Sequence, residues 1–128
     1  AADALVALMR GGARWSRDVW TVTPHPRLHA LPEHADAAPW SSLGAAPLPA
    51  GAWWRTEHQR LATVPGTGLA CFTIRIDTQP LQQAIDSPER ARALHDALAS
   101  MSEAVLQYRR LAPARDALLD WLAARAAA

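Results

Sequence analysis

The sequence contains no lysine, and its 13 basic residues, all arginine, stand against 12 acidic residues for a net charge of +1. A charge so close to balance argues against a nucleic-acid or membrane-surface partner. The single cysteine, Cys71, excludes an internal disulfide and a multi-cysteine zinc site. No signal peptide is recognisable, and no apolar run approaches the ~20 residues of a membrane-spanning helix. We therefore expect a soluble, cytoplasmic protein.

Phenylalanine and tyrosine are also scarce, with one of each among 128 residues. Six tryptophans replace them: Trp15, Trp20, Trp40, Trp53, Trp54 and Trp121. They either fill a small core or line a flat ligand pocket. The chain length predicts a single domain over residues 1–128.

The order of predicted elements gives the fold class. We expect a short helix over residues 5–9, strands over 19–23 and 27–31, and a hairpin over 53–76 around Pro65-Gly66. The run Ser87-Pro88-Glu89 is a typical helix start, and a last helix is expected from Pro113. This order predicts an α+β domain with an antiparallel sheet and flanking helices.

The first hairpin strand carries more polar side chains than a core-filling strand requires. If the turn centres on Gly66, Trp54 and His58 share a face with Phe72 and Ile74, and Glu57 lies opposite Arg75. The Glu57–Arg75 pair is then either an ordinary cross-strand salt bridge or part of a ligand site. Each polar group buried without a partner costs about 1–3 kcal/mol, so a polar strand favours recognition of a ligand.

The histidines allow several interpretations. His25, His29 and His34 lie in one loop at spacings of four and five, where they either chelate or are solvated. His58, on the predicted apolar face, is either a satisfied core residue or an axial ligand to a flat macrocycle. No HExxH motif, P-loop or GxSxG elbow is present. Cys71, inside a predicted strand, is expected to be a buried structural thiol.

The hairpin resembles the heme-dependent oxidative N-demethylase alpha-subunit-like family. The order and spacing of its motif are kept in Arg55-Thr56-Glu57-His58-Gln59-Arg60-Leu61, Val64-Pro65, Gly68, Phe72-Thr73-Ile74-Arg75 and Pro80-Leu81. The segment Leu28-His29-Ala30-Leu31-Pro32 is similar to the family's IHxPVP segment. The family has arginine where this chain has His58.

The resemblance implies a PAS-like domain that holds heme on its sheet. Reduced by flavin and iron–sulfur partners, the heme of such enzymes uses O2 to oxidise a small secondary amine. By the same resemblance His29 is the first choice for the iron ligand, and His58 is the second. Arg55 and Glu57 are implied as catalytic polar groups. Further cofactor contacts are implied for Gln59 and Arg75. Trp54 and Phe72, beside His58 on the predicted apolar face, are candidate contacts of a flat cofactor.

Other functional classes remain open at this point. The domain is either such an enzyme or a non-catalytic PAS-like module that binds heme or another small ligand. In the second case it would serve as a subunit of a larger complex or as a homo-oligomer. A third interpretation is an alanine- and arginine-rich structural protein that dimerises through exposed tryptophans.

Overall fold

A computed structural model describes residues 14–29, 40 and 48–128 of the chain. Within these residues, three strands form one sheet in the order β1-β2-β3, and four α-helices follow. The strands are β1 (Trp15–Thr23), β2 (Trp53–Val64) and β3 (Leu69–Pro80). The helices are α1 (Leu81–Ala84), α2 (Pro88–Ala99), α3 (Glu103–Tyr108) and α4 (Arg115–Ala126). The antiparallel sheet and the helices confirm the α+β prediction.

The turn between β2 and β3 lies where the sequence predicts it. The backbone N–H and the Oγ1 hydroxyl of Thr67 both donate to the carbonyl oxygen of Val64, at 3.3 and 2.9 Å. Gly66 and Gly68 have φ angles of 75° and 69°, which a residue with a Cβ adopts only with strain. Four residues, 65–68, separate the strands, so the turn is not centred on Gly66 and the pairing differs from the predicted register.

The chain divides into two compact units, and each strand contributes residues to both. We call the first the hairpin unit; its described residues are 14–20 and 56–77. The second, the helical unit, contains residues 21–29, 40, 48–55 and 78–128. It holds nearly all the buried apolar side chains: Val22, Ala52, Leu81, Ala84, Ile85, Ala91, Leu94, Leu98, Leu106, Leu111, Ala114, Leu118 and Leu122. Among the described residues of the hairpin unit, Leu61 alone belongs to this class.

Helix α2 of the helical unit begins where the sequence predicts it. Ser87 is the N-cap of α2, its Oγ accepts from the backbone N–H of Arg90 at 3.3 Å, and Pro88 is the first helical residue. The backbone N–H of Glu89 and the Ser87 hydroxyl lower the pKa of the Glu89 carboxyl. Ala91, Leu94 and Leu98 are buried, and α2 packs against α4. These helices therefore form the main core of this unit.

Some sequence predictions are wrong in detail. Residues 27–29 are not a strand, and residues 30 and 31 of that predicted strand lie outside the described part. Pro113 starts no α-helix; it lies in a 3₁₀ turn, Ala112–Ala114, that precedes α4. Cys71 is exposed, as are most residues of β3, so the prediction of a buried thiol is wrong. The helix expected at residues 5–9 lies outside the described residues.

Candidate functional site

The segment after β1 carries His29, and Arg55 fixes this segment in place. Arg55 lies on β2 and is 8% exposed. Its Nη1 donates to the carbonyl oxygens of Arg27 and Leu28, at 3.0 and 3.2 Å. The Thr78 hydroxyl on β3 donates to the carbonyl oxygen of Pro26 at 3.3 Å. A non-regular segment is thereby held at three consecutive carbonyls.

His29 directly follows the last of these anchored carbonyls. Its side chain is exposed, so a ligand from solvent can approach the ring. The sequence marks His29 through the family segment it belongs to. The sequence does not reveal that Arg55 anchors the two residues before His29. Arg55 is separated from Arg27 by 28 positions and from Leu28 by 27.

His25 is a second notable histidine in the same segment. Its Nδ1 is buried and has no hydrogen-bond partner among the described residues. Burial lowers the pKa of His25 first, and the positive charge of Arg27 lowers it further, with smaller contributions from Arg55 and His29. The imidazole is thus biased toward its neutral form. The sequence shows His25 only as one of three loop histidines. It does not reveal that Nδ1 is buried, because tertiary packing determines that burial.

A hydrogen-bonded row on one face of the hairpin unit includes Glu57 and Gln59. Arg17 Nε donates to Gln59 Oε1 at 2.7 Å, and Gln59 Nε2 donates to Glu57 Oε2 at 3.0 Å. Gln59 is 8% exposed, and the Arg17 guanidinium lies 5.0 Å from the centre of the Trp15 ring. Because Gln59 is bonded on both sides of its amide, it holds the Glu57 carboxylate in one orientation.

A second polar cluster surrounds His58. Its Nδ1 lies 2.7 Å from Asp18 Oδ1 on β1, and its Nε2 lies 2.9 Å from Asp77 Oδ2 on β3. Arg75 Nη2 lies 3.1 Å from the same oxygen of Asp77. Both ring nitrogens of His58 therefore face carboxylates, and a bond to iron would require one of them to be displaced.

These contacts correct the predicted register of the hairpin. His58 shares a face with Asp77 and Arg75, whereas Glu57 and Gln59, its neighbours on β2, point to the other face. The predicted position of Glu57 opposite Arg75 is therefore wrong, because the four-residue turn shifts the pairing by one residue. By the same alternation Phe72, three residues before Arg75, lies on the face opposite Arg75. A planar cofactor on one face of this unit would contact either His58 and Arg75 or the residues of the other face, Glu57, Gln59 and Phe72, but not both groups.

The other predicted site residues lie in the helical unit. Trp54 and Arg55 are neighbours at the start of β2; the first is half-buried and the second is buried. His29 lies in the segment that Arg55 anchors. The structure thus bonds Arg55 to the two residues that precede His29, and Trp54 is next to Arg55 in the strand.

The described residues contain neither a group of metal ligands nor a membrane-spanning helix. No three histidine, cysteine, aspartate or glutamate side chains there are grouped closely enough to hold a metal ion. None of the helices in this part of the chain has the length and apolar character needed to cross a membrane.

Comparison with protein families confirms the resemblance seen in the hairpin. Residues 2–119 match the family described as "Haem-dependent oxidative N-demethylase, alpha subunit-like". The match covers the hairpin, the anchored His29 segment and the helices up to the middle of α4. The chain therefore belongs to the heme-dependent oxidative N-demethylase alpha-subunit-like family.

Proposed function

We propose that this chain is a PAS-like heme-binding domain of an oxidoreductase that oxidatively N-demethylates a small amine with O2. The observation that carries the proposal is the exposed His29 on a segment anchored by buried Arg55. Family membership supports the general class of enzyme. Under this proposal residues 1–128 form one such domain.

The residues of the anchored segment fit an axial ligand to heme iron. A neutral imidazole is the usual protein ligand of heme iron, and its ring must be accessible and held in position. His29 is exposed, and the two residues before it have carbonyl oxygens bonded to Arg55. Heme, when bound, would supply the oxidation of the amine by O2.

In this proposal Arg55 positions the ligand and does not itself react. Its guanidinium is occupied by two backbone carbonyls, so its contribution is the conformation of the His29 segment. Trp54, adjacent to Arg55, remains a proposed cofactor contact. The other residues predicted from the sequence to contact the cofactor lie on two faces of the hairpin unit, and their cofactor roles stay predictions: Gln59, Phe72, His58 and Arg75.

Glu57 is proposed to hold the ammonium group of the amine. A carboxylate attracts a cation most strongly when it is already oriented, because less conformational freedom is lost on binding. The bond from Gln59, itself bonded to Arg17, provides that orientation. Glu57→Gln, which removes the charge and retains the size, would weaken amine binding.

The family description refers to an alpha subunit, which supports an assembly with other subunits. We propose a flavin and iron–sulfur reductase as the electron donor, and the cytoplasm as the compartment. Both follow from the family resemblance.

The absorption spectrum of the purified protein with added heme tests heme binding. The parent protein should show a Soret band typical of histidine-ligated heme. His29→Ala should lose that ligation, and His95→Ala, a substitution in α2, should retain it. A parent spectrum identical to free heme, or one unchanged in His29→Ala, would contradict the proposed site.

Turnover separates the enzyme from a binding module. Given a flavin donor and O2, the parent should consume O2 and release formaldehyde when a small secondary amine is added. Heme binding with no amine-dependent O2 uptake, in the presence of a competent donor, would instead identify a non-catalytic heme-binding module or subunit.

A further inference from the structure

We infer that Thr23 and Thr78 are positioning residues for His29. Together with Arg55 they hold the segment before His29 in one conformation in the protein without heme. The inference rests on the proposed role of His29 and adds to it two residues for which the sequence predicted no such part. All of these residues belong to the helical unit.

The backbone from Thr23 to Pro26 is restricted by its own sequence. Pro24 and Pro26 fix their φ angles at about −65°, and the residue before each proline is disfavoured in the helical region. Residues 24–29 form neither helix nor strand, and prolines have no N–H to donate, so regular backbone bonds do not hold this segment. Because the restriction by proline ends at Pro26, the conformation of the next two residues depends on tertiary contacts.

Side chains from all three strands hold four consecutive carbonyl oxygens of this segment. Thr23 Oγ1 on β1 donates to the carbonyl oxygen of His25 at 2.8 Å. Thr78 Oγ1 on β3 donates to that of Pro26 at 3.3 Å. Arg55 on β2 donates to the next two carbonyl oxygens, at 3.0 and 3.2 Å. The residue that follows these four is the proposed iron ligand.

These bonds do more than provide partners for the carbonyl groups. Residues 26–28 are exposed, so water could satisfy their carbonyl oxygens. Donors on three different strands instead restrict the backbone at each position. A ligand side chain that is already held in its binding position loses less conformational freedom on binding. The bonds therefore raise the fraction of molecules in which His29 is ready to bind, and apparent affinity follows that fraction.

Backbone order in the protein without heme tests the anchoring. Thr78→Val removes the hydroxyl and keeps the β-branched shape, Thr78→Ser keeps the hydroxyl, and Thr73→Val makes the same change at an exposed position of β3. Nitrogen-15 relaxation reports the order parameters of the amides of residues 27–29. We expect values of about 0.85 in the parent, Thr78→Ser and Thr73→Val. Lower values are expected in Thr78→Val and in Thr23→Val.

Heme ligation tests the positioning role. With hemin as the probe, the dissociation constant of Thr78→Val should be about two- to tenfold larger than that of the parent, because fewer molecules hold the segment in the binding conformation. The iron–histidine stretching frequency should shift in Thr78→Val and return to the parental value in Thr78→Ser. A role confined to stability would lower the midpoint of urea denaturation and leave both readouts of the folded protein unchanged.

The outcomes separate this inference from the proposed function. Order parameters of residues 27–29 that are equal in Thr78→Val and the parent would overturn the inference, whether or not the parent binds hemin. Equal hemin affinity and equal iron–histidine frequency in these two proteins would overturn the positioning role and leave the proposed function intact. A parent that binds no hemin, with order parameters that fall in Thr78→Val, would contradict the proposed function and support the anchoring of the segment.

Discussion

The helical unit and the hairpin unit are stabilised in different ways. The helical unit buries leucines on α1, α2, α3 and α4, and its arginines contact backbone carbonyls at the edges of that core, as Arg125 does with Ile85. The hairpin unit places polar side chains on both faces of its strands, and they bond in two separate groups. In the first unit the polar groups support an apolar core. In the second they are the main contacts between side chains.

The difference has a functional side. In the helical unit Arg55 is buried and anchors a segment in which His29 is exposed, so the residue that stabilises this segment differs from the one proposed to bind the ligand. In the hairpin unit Glu57 and His58 are themselves members of the bonded groups. Substitutions of Glu57 or His58 that test a proposed function are therefore also expected to change the stability of the hairpin unit.

The largest expected effect on the free energy of unfolding comes from core packing, which differs between the two units. Leu118 is fully buried, and Leu118→Ala should lower the free energy of unfolding by about 2–5 kcal/mol, from lost apolar contact and the cavity left behind. Leu69→Ala is the matched control in the hairpin unit, where the leucine is 66% exposed, and it should change the free energy by about 0.5 kcal/mol or less. Urea denaturation measures both. Equal losses would show that the two units do not differ as described.

The next effect concerns the buried arginine. Arg55→Gln should cost about 1.5–3 kcal/mol, because two carbonyl oxygens lose bonds from a charged donor. The same variant should bind heme more weakly, since the His29 segment is no longer held. Arg92→Gln, an exposed arginine on α2, is the control. Heme affinity that is unchanged in Arg55→Gln would remove the positioning role of this residue.

A smaller effect is expected at the hairpin turn. Gly66 has a φ of 75° and no atom within 4 Å of an added Cβ, so Gly66→Ala tests backbone strain without steric overlap. We expect a loss of about 1 kcal/mol, visible as reduced protection of the β2 and β3 amides near the turn. The amides of α2 should be unaffected. Stability equal to the parent would mean that the turn relaxes to a conformation with negative φ.

The smallest effect is the pH dependence that comes from His25. Because its pKa in the folded protein is lowered from 6.5, the unfolded chain binds a proton more readily, and its contribution to stability is present above about pH 6.5. That contribution should be lost as the pH falls below this value toward the folded-state pKa. His25→Gln should remove this component of the pH dependence in urea denaturation, whereas His95→Gln should not. An identical pH profile in His25→Gln and the parent would contradict the assignment.

Sequence patterns predicted the regular elements well and the tertiary contacts poorly. The cap at Ser87 and the turn near Gly66 depend on neighbouring residues, and both were predicted. The pairing of Glu57 with Arg75 failed because one residue of turn length reverses which face a strand presents. The predicted burial of Cys71 failed because the burial of a strand side chain depends on whether another element covers its face, and most residues of β3 are exposed.

The site was predictable only in part for the same reason. The family motif marked His29 and Arg55 as important, and the structure adds that Arg55 anchors the two residues that precede His29. The contacts of His58 with Asp18 and Asp77 join residues that are 40 and 19 positions away from it. No local pattern reports on such contacts.

The identity of the iron ligand tests the central claim most directly. Resonance Raman spectroscopy of the heme-loaded protein reports an iron–histidine bond, and it would be recorded for the parent, His29→Ala and His58→Gln. The account predicts that the bond is present in the parent and in His58→Gln and absent in His29→Ala. An iron–histidine bond that persists in His29→Ala and disappears in His58→Gln would contradict it.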